Sequence, residues 1–143
     1  RCGCLTGPMH SGAELHGFLS FLVKSYVENK TYKIFGYKGK QVRDNLHSKD
    51  LINIIWEYIK KPKKNAVYNI GGGNFSNCSI IEAINILENI GKKKFNYKVL
   101  KNIRSGDHKW WISDLSKFKK DYPNWKQTYN IKKILKEIYS FLI

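Results

Sequence analysis

The spacing of apolar residues divides the chain into short runs alternating with longer stripes. "RCGCLT" (1–6) reads as a short buried strand, stopped by the turn pair Gly7-Pro8. From Ala13 to Asn29, the residues Leu15, Phe18, Leu19, Leu22, Val23 and Tyr26 recur at three and four, which predicts a helix with one core-facing side. "TYKIFG" (31–36) reads as a strand closed by Gly36, "YKGK" as a turn, and "QVRDNLH" (41–47) as a short extended stretch. Ser48 is placed to cap a helix whose apolar face is Leu51, Ile52, Ile55, Trp56 and Ile59, with Pro62 as its stop. "AVYNIGGG" (66–73) predicts a buried strand running into a glycine turn. Ser79 and Glu82 have the spacing of a capping box, ahead of a helix carrying Ile80, Ala83, Ile84, Leu87 and Ile90 and ending at Gly91. "KFNYKVL" (94–100) reads as a further strand. Ile131, Ile134, Leu135, Ile138, Tyr139 and Leu142 form the stripe of a last helix.

Strands separated by helices predict an α/β fold, with "RCGCLT" and "AVYNI" buried enough for a parallel sheet. The 143 residues suit one domain, and there is no internal repeat or long linker. No apolar run approaches the roughly 18–20 residues that span a bilayer, so no membrane partner is expected. The chain opens on a strand without an initiator methionine or a secretory signal, and is expected to be a piece of something longer.

A net charge of +15 raises the question of nucleic acid. The lysines fall in short clusters ("KKPKK", "GKKK", "KFKK") at predicted loops and helix ends, which is the distribution of a solvated surface. No nucleic-acid partner is therefore expected. A small basic module binding through lysines and aromatics remains the rival reading, and it requires a contiguous groove with aromatics exposed on one sheet face. Cys2, Cys4 and Cys78 are odd in number and lack framework spacing, so they read as reduced thiols of a cytoplasmic protein. A lone Cys-x-Cys is a weak zinc signal, and no metal is expected.

The arginines change the picture more than the lysines do. Only Arg1, Arg43 and Arg104 occur among 26 basic residues. A guanidinium is a planar fork that holds carboxylate or phosphate oxygens two at a time, whereas an ammonium is a hydrated point charge. Arg43 ("QVRDN") and Arg104 ("IRSGDH") each lie beside an aspartate in a predicted loop setting. Two readings stand: Arg–Asp braces fixing loops, or a clamp on a diphosphate. "IGGGNFSN" lacks both the G-x-G-x-x-G order and a Gly-Lys-Ser/Thr ending, so it reads as a tight turn near a ligand. His10, His16, His47 and His108 accompany no recognisable Ser or Cys nucleophile, and no residue is assigned a catalytic role.

The order of five motifs, Arg43-Asp44, His47 with Asp50, Asn69-Ile70-Gly71, Arg104-Ser105-Gly106-Asp107, and Ser116-Lys117 with Trp125, resembles the extended short-chain dehydrogenase/reductases that epimerise or dehydrate nucleotide sugars. The resemblance runs over essentially the whole chain. It implies an α/β fold that is the C-terminal, substrate-binding portion of such an enzyme, with two strands belonging to an incomplete Rossmann sheet. Residues 1–143 are then a single fragment. The NAD-binding part, its glycine loop and the Tyr/Lys acid–base pair lie upstream, and the fragment alone neither retains NAD nor catalyses.

Within the family the likeness is greatest to the CDP-sugar 2-epimerases, carried by "RCGCLTGP" with "GYKGKQVRDN", where Cys4 replaces the more common asparagine. By this resemblance the partner is a CDP-sugar. Arg43 and Arg104 grip its diphosphate, Asp107 orders the second loop, Ile34 and Phe35 line the base, and His16 lies close to diphosphate or base. Cys2, Gly3 and Cys4 border the nicotinamide of NAD. Asp50 and Ser79 serve as helix-start residues. A sibling 4-epimerase or 4,6-dehydratase is the alternative. An exposed apolar sheet edge and a homo-oligomer are also expected.

Overall fold

A computed structural model describes every residue from Arg1 to Ile143 except Leu15. In chain order its elements are β1 (Cys4–Thr6), α1 (Phe18–Val27), β2 (Tyr32–Phe35), β3 (Val42–His47), α2 (Ser48–Lys60), β4 (Asn77–Ser79), α3 (Ile80–Gly91), β5 (Tyr97–Leu100), β6 (Trp110–Trp111), α4 (Ser116–Asp121) and α5 (Ile131–Leu142). Single 3₁₀ turns at Tyr37–Gly39 and Gly73–Phe75 complete the set.

β3 organises the larger sheet. Its C-terminal half pairs in parallel with β1 (Cys4 opposite Asn45, Thr6 opposite His47). Its N-terminal half pairs antiparallel with β4 (Arg43 opposite Cys78) and in parallel with β6 (Arg43 opposite Trp111). β2 and β5 form a separate parallel pair, from Tyr32 opposite Tyr97 to Phe35 opposite Leu100. This is the predicted α/β class with parallel strands, but the expected strand "AVYNI" is reduced to one parallel bridge between Cys2 and Ile70. Two backbone bonds close it, Gly3 N–H to Ile70 C=O at 2.7 Å and Ile70 N–H to Arg1 C=O at 2.8 Å. Val67, half-exposed, shows that this segment has no apolar cover on both faces.

Helix α1 starts at Phe18, five residues later than the stripe predicts. Gly17, at φ +66°, turns the chain into it in a conformation that side chains rarely adopt. Ahead of it Ala13 and His16 exchange backbone bonds of 2.9 and 3.0 Å in a tight turn. Leu15, the first position of the expected stripe, lies outside the described residues. Phe18, Leu19, Leu22, Val23 and Tyr26 do pack into the main core, together with α3, β2 and Ile134, Leu135 and Ile138 of α5. The Ser79–Glu82 capping box is complete: Ser79 N–H donates to Glu82 Oε2 at 2.7 Å and Glu82 N–H to Ser79 Oγ at 3.2 Å.

Helix α2 departs most from expectation. Its predicted core face points outward: Ile52, Ile55, Trp56 and Ile59 are 48–62% exposed, while Ile54 and Asp50 are buried. The cap is His47, whose Nδ1 accepts from Lys49 N–H at 3.1 Å, and Ser48 is the first helical residue. Exposed apolar area thus lies on this helix face and also on edge strands, where Leu5 of β1, Tyr97 and Val99 of β5, and Trp110 and Trp111 of β6 are exposed. A second, smaller core beneath α2 gathers Leu46, Ile54, Ile70, Leu115, Phe118, Tyr122 and Trp125. The short helix α4 supplies Phe118; too few of its positions are apolar for a stripe to announce it.

Candidate functional site

Strand alternation sends Arg43 and Asp44 to opposite faces of β3, and this separates their roles. The guanidinium of Arg43 bonds to the carboxylate of Asp107, from the second Arg motif, and its Nη1 donates to Val42 C=O at 2.8 Å. Both side chains are largely buried. The two sequence motifs therefore pair across rather than within themselves. Asp107 reaches Arg43 because residues 104–107 form a turn: Asp107 N–H donates to Arg104 C=O at 3.1 Å, with Gly106 at φ +75°.

Around this pair lies a cavity of about 270 Å³ bordered by Arg43, Arg104 and Asp107 together with Phe35, His16 and Cys4. Tyr32, Gln41, Phe18 and Ile80 complete much of its wall. Six of the nine residues singled out from the sequence thus meet at one place, drawn from β1, the turn before α1, β2, β3 and the 104–107 turn. Arg104 is exposed at its rim.

The remaining three lie elsewhere. Ile34 alternates with Phe35 along β2 and is fully buried in the main core, so its side chain faces away from the cavity. Cys2 is exposed at the Ile70 bridge. Gly3 backs onto other groups: a Cβ there would sit 3.1 Å from Ser113 Oγ and 3.3 Å from Asp44 Oδ1.

The charged groups of the wall are Lys33, Arg43 and Arg104 against Glu14 and Asp107, with Lys33 paired to Glu14 and Arg43 to Asp107. Burial pushes the Cys4 thiol up, the Asp44 carboxylate adds to this, and Arg43 only partly opposes it. Burial likewise lifts the Tyr32 phenol to about 12, against the pull of Arg104. Neither supplies a base near neutral pH. Among the described residues no group of three or more His, Cys, Asp and Glu side chains converges as a metal site.

Sequence reasoning missed three groups. Asp44, fully buried, accepts from Gly73 N–H at 2.8 Å and Ser113 N–H at 2.9 Å, binding the glycine turn and the segment that follows β6 to β3. Asp50 sits in the first turn of α2 as expected, but its carboxylate accepts from Thr128 N–H (3.0 Å), Thr128 Oγ (2.6 Å) and Tyr129 N–H (3.0 Å). His47 stacks on Tyr129 with ring centroids 3.8 Å apart. The His47/Asp50 pair is thus a latch on the segment leading into α5. Gln41 is the third: two residues before Arg43, it donates from Nε2 to Phe35 C=O at 3.1 Å. Its proximity to Arg43 in an extended stretch was the available signal, since i and i+2 share a face.

Residues 1–71 match the model of the NAD dependent epimerase/dehydratase family. A CDP-paratose 2-epimerase of Salmonella typhi is 33% identical over 92 residues, 62% of this chain and 26% of that protein. A Bacillus cereus UDP-glucuronic acid 4-epimerase, solved with a fluorinated UDP-sugar and NAD, is 28% identical with a TM-score of 0.82, over 99% of this chain and 43% of that one. A Thermotoga maritima UDP-glucose 4-epimerase, solved with UDP-glucose, shares the fold at a TM-score of 0.81 and 23% identity, over 99% of this chain and 44% of that one. The chain thus spans less than half the length of each of these relatives.

Proposed function

We infer that this chain, which belongs to the NAD dependent epimerase/dehydratase family, is the nucleotide-sugar-binding portion of an epimerase whose substrate is a CDP-sugar, inverted at C2 by transient oxidation. One observation carries the reading: Arg43 and Arg104, from sequence-distant segments, border the same cavity beside Asp107 and Phe35. A guanidinium has five N–H donors in a planar fork. Arg43 spends one on Asp107 and one on the Val42 carbonyl, which fixes the plane and leaves donors for phosphate oxygens. Arg104 adds a second positive charge from the rim, and Phe35 offers an aromatic wall for a base.

In this reading the NAD-binding part and the acid–base pair belong to residues outside the 143, and the chain alone does not turn over substrate. Of Cys2, Gly3 and Cys4, the one that fits a place beside the nicotinamide is Cys4, which borders the cavity as an uncharged thiol. NAD, when bound, supplies the hydride acceptor. This chain's residues hold and orient the diphosphate, and Asp107 fixes Arg43 for that task. Among the described residues no helix is long and apolar enough to cross a membrane.

A second reading, a UDP-sugar 4-epimerase, is favoured by the 28% identity to the Bacillus cereus enzyme over nearly the whole chain. The C2 reading is favoured by the 33% identity to the Salmonella typhi enzyme. Calorimetric titration with CDP tests the site itself. Arg43→Lys and Arg104→Lys are each expected to weaken CDP at least about tenfold, because an ammonium cannot take two phosphate oxygens in one plane. Undiminished affinity in both variants refutes the clamp.

A further inference from the structure

We propose that Lys33 is a third phosphate-binding cation of this cavity, and that the Glu14 carboxylate competes with the ligand's phosphates for it. The proposal rests on the reading of the cavity as a nucleoside-diphosphate site. Both residues border the cavity together with Arg43, Arg104 and Asp107. Lys33 stands on β2 between Tyr32 and Ile34; those two are buried, while its own side chain is 57% exposed. Glu14 comes from the tight turn in which Ala13 and His16 exchange backbone bonds. Lys33 Nζ and Glu14 Oε1 lie 3.7 Å apart, so the pair joins that turn to β2 beside the cavity.

The two carboxylates of the wall differ in how firmly they are held. Asp107 and Arg43 are largely buried, and the Val42 carbonyl fixes Arg43 further. Glu14 and Lys33 are about half exposed, and their separation is that of a charge pair rather than of a hydrogen bond. Such a pair contributes little, because water screens it and two flexible side chains must be held in place. Arg104 and Glu14 act with opposite sign on the same Tyr32 phenol, so the two charges stand around one ring of the wall. A diphosphate drawn to Arg43 and Arg104 therefore meets an ammonium that attracts it and a carboxylate that repels it. Turning the Glu14 side chain out to water removes the like charge and gives Lys33 to the phosphates, which an ammonium binds as a point charge. Asp107 cannot turn away in the same manner, since that leaves the buried guanidinium of Arg43 without its counterion.

The test is calorimetric titration of the chain with CDP and with inorganic pyrophosphate, which presents a diphosphate without base or sugar. Lys33→Met is expected to weaken both about fivefold or more, whereas Lys33→Arg, which keeps the charge, stays within about twofold of wild type. Glu14→Gln is expected to tighten both about threefold, and most of that gain disappears when Lys33→Met is also present. Both side chains are about half exposed, so far-UV circular dichroism and the thermal midpoint are expected to stay unchanged in all of these variants. A Lys33→Met protein within about twofold of wild type overturns the assignment of Lys33. A Glu14→Gln protein that binds both ligands no more tightly than wild type overturns the competition. Either result beside an Arg43→Lys protein that still loses CDP leaves the cavity reading standing and removes only this proposal. Failure of the wild type to bind CDP or pyrophosphate overturns the reading of the cavity, and the role of Lys33 with it.

Discussion

Replacing Asp50 by alanine removes the acceptor for three donors at once, and the structure allows its cost to be worked through. The carboxylate is fully buried and holds Thr128 N–H at 3.0 Å, Tyr129 N–H at 3.0 Å and the Thr128 hydroxyl at 2.6 Å. Hydrogen bonds to a charged partner contribute about 1.5–3 kcal/mol each, and a buried donor left unpaired costs about 1–3 kcal/mol. Thr128 is exposed, so its two groups can turn to water, whereas Tyr129 is buried and its N–H cannot. The expected loss is therefore about 3–5 kcal/mol, below the sum of three full bonds. Domains of this size have total stabilities of about 5–15 kcal/mol, so Asp50→Ala consumes a large share. Asp50→Asn keeps one acceptor oxygen and is expected to cost about half as much, and Thr128→Val about 1 kcal/mol or less. Urea unfolding followed by tryptophan fluorescence measures all three, with Trp125 reporting from the second core. A loss below about 1 kcal/mol for Asp50→Ala would refute the latch, since a single ordinary hydrogen bond is worth that much.

Three further outcomes follow from the same packing. Burial holds the His47 imidazole below its ordinary value, helped by Lys49 and Lys133 and opposed by Glu137 and Asp50. The unfolded chain takes up a proton near pH 6.5 and the folded one resists it, so this contribution is whole above pH 6.5 and is lost as pH falls toward the depressed folded value. Thermal unfolding of wild type should thus decline from pH 7.5 to 5.5 more steeply than that of His47→Asn, which keeps a capping side chain without the titration; parallel slopes would remove His47 as the cause. Gly72→Ala should destabilise by about 3 kcal/mol or more, because the added methyl meets backbone atoms of Ser76 and Asn45 that cannot move aside, and an unchanged urea midpoint would contradict this. A thiol reagent at neutral pH should label Cys2 quickly, Cys4 slowly and Cys78 only on unfolding, since they are exposed, half-buried and buried, with burial raising the latter two thiols. Fast labelling of more than one thiol in the native state would count against that packing.

Where an element's own residues specify its conformation, its sequence was legible. The Ser79–Glu82 box and the stripe of α5 contain their own start, face and length, and both form as their spacing predicts. That the first segment and the 66–70 segment belong to parallel pairing was legible as well, but not that they meet each other, nor that the second forms only a bridge, since Val67 finds no cover. The candidate site was legible in part: arginine in a lysine-rich chain marked Arg43 and Arg104, and the cavity borders on both. Ile34 went astray by one step of strand alternation, because neighbouring residues on a strand face opposite ways.

Local periodicity states that a helix has an apolar stripe, but not what that stripe meets. α5 and α2 carry equally clear stripes; the first lies in the main core and the second, through Ile52, Ile55, Trp56 and Ile59, faces outward. The same limit governs the ion pairs. Chain proximity suggested Arg43 with Asp44, yet strand alternation divides them, and Asp107, 64 residues away, takes the guanidinium. Residue types and turn chemistry set which groups were available for a diphosphate site. Which partner each group meets depends on contacts between segments distant in the chain, and these exist only once the whole chain has packed.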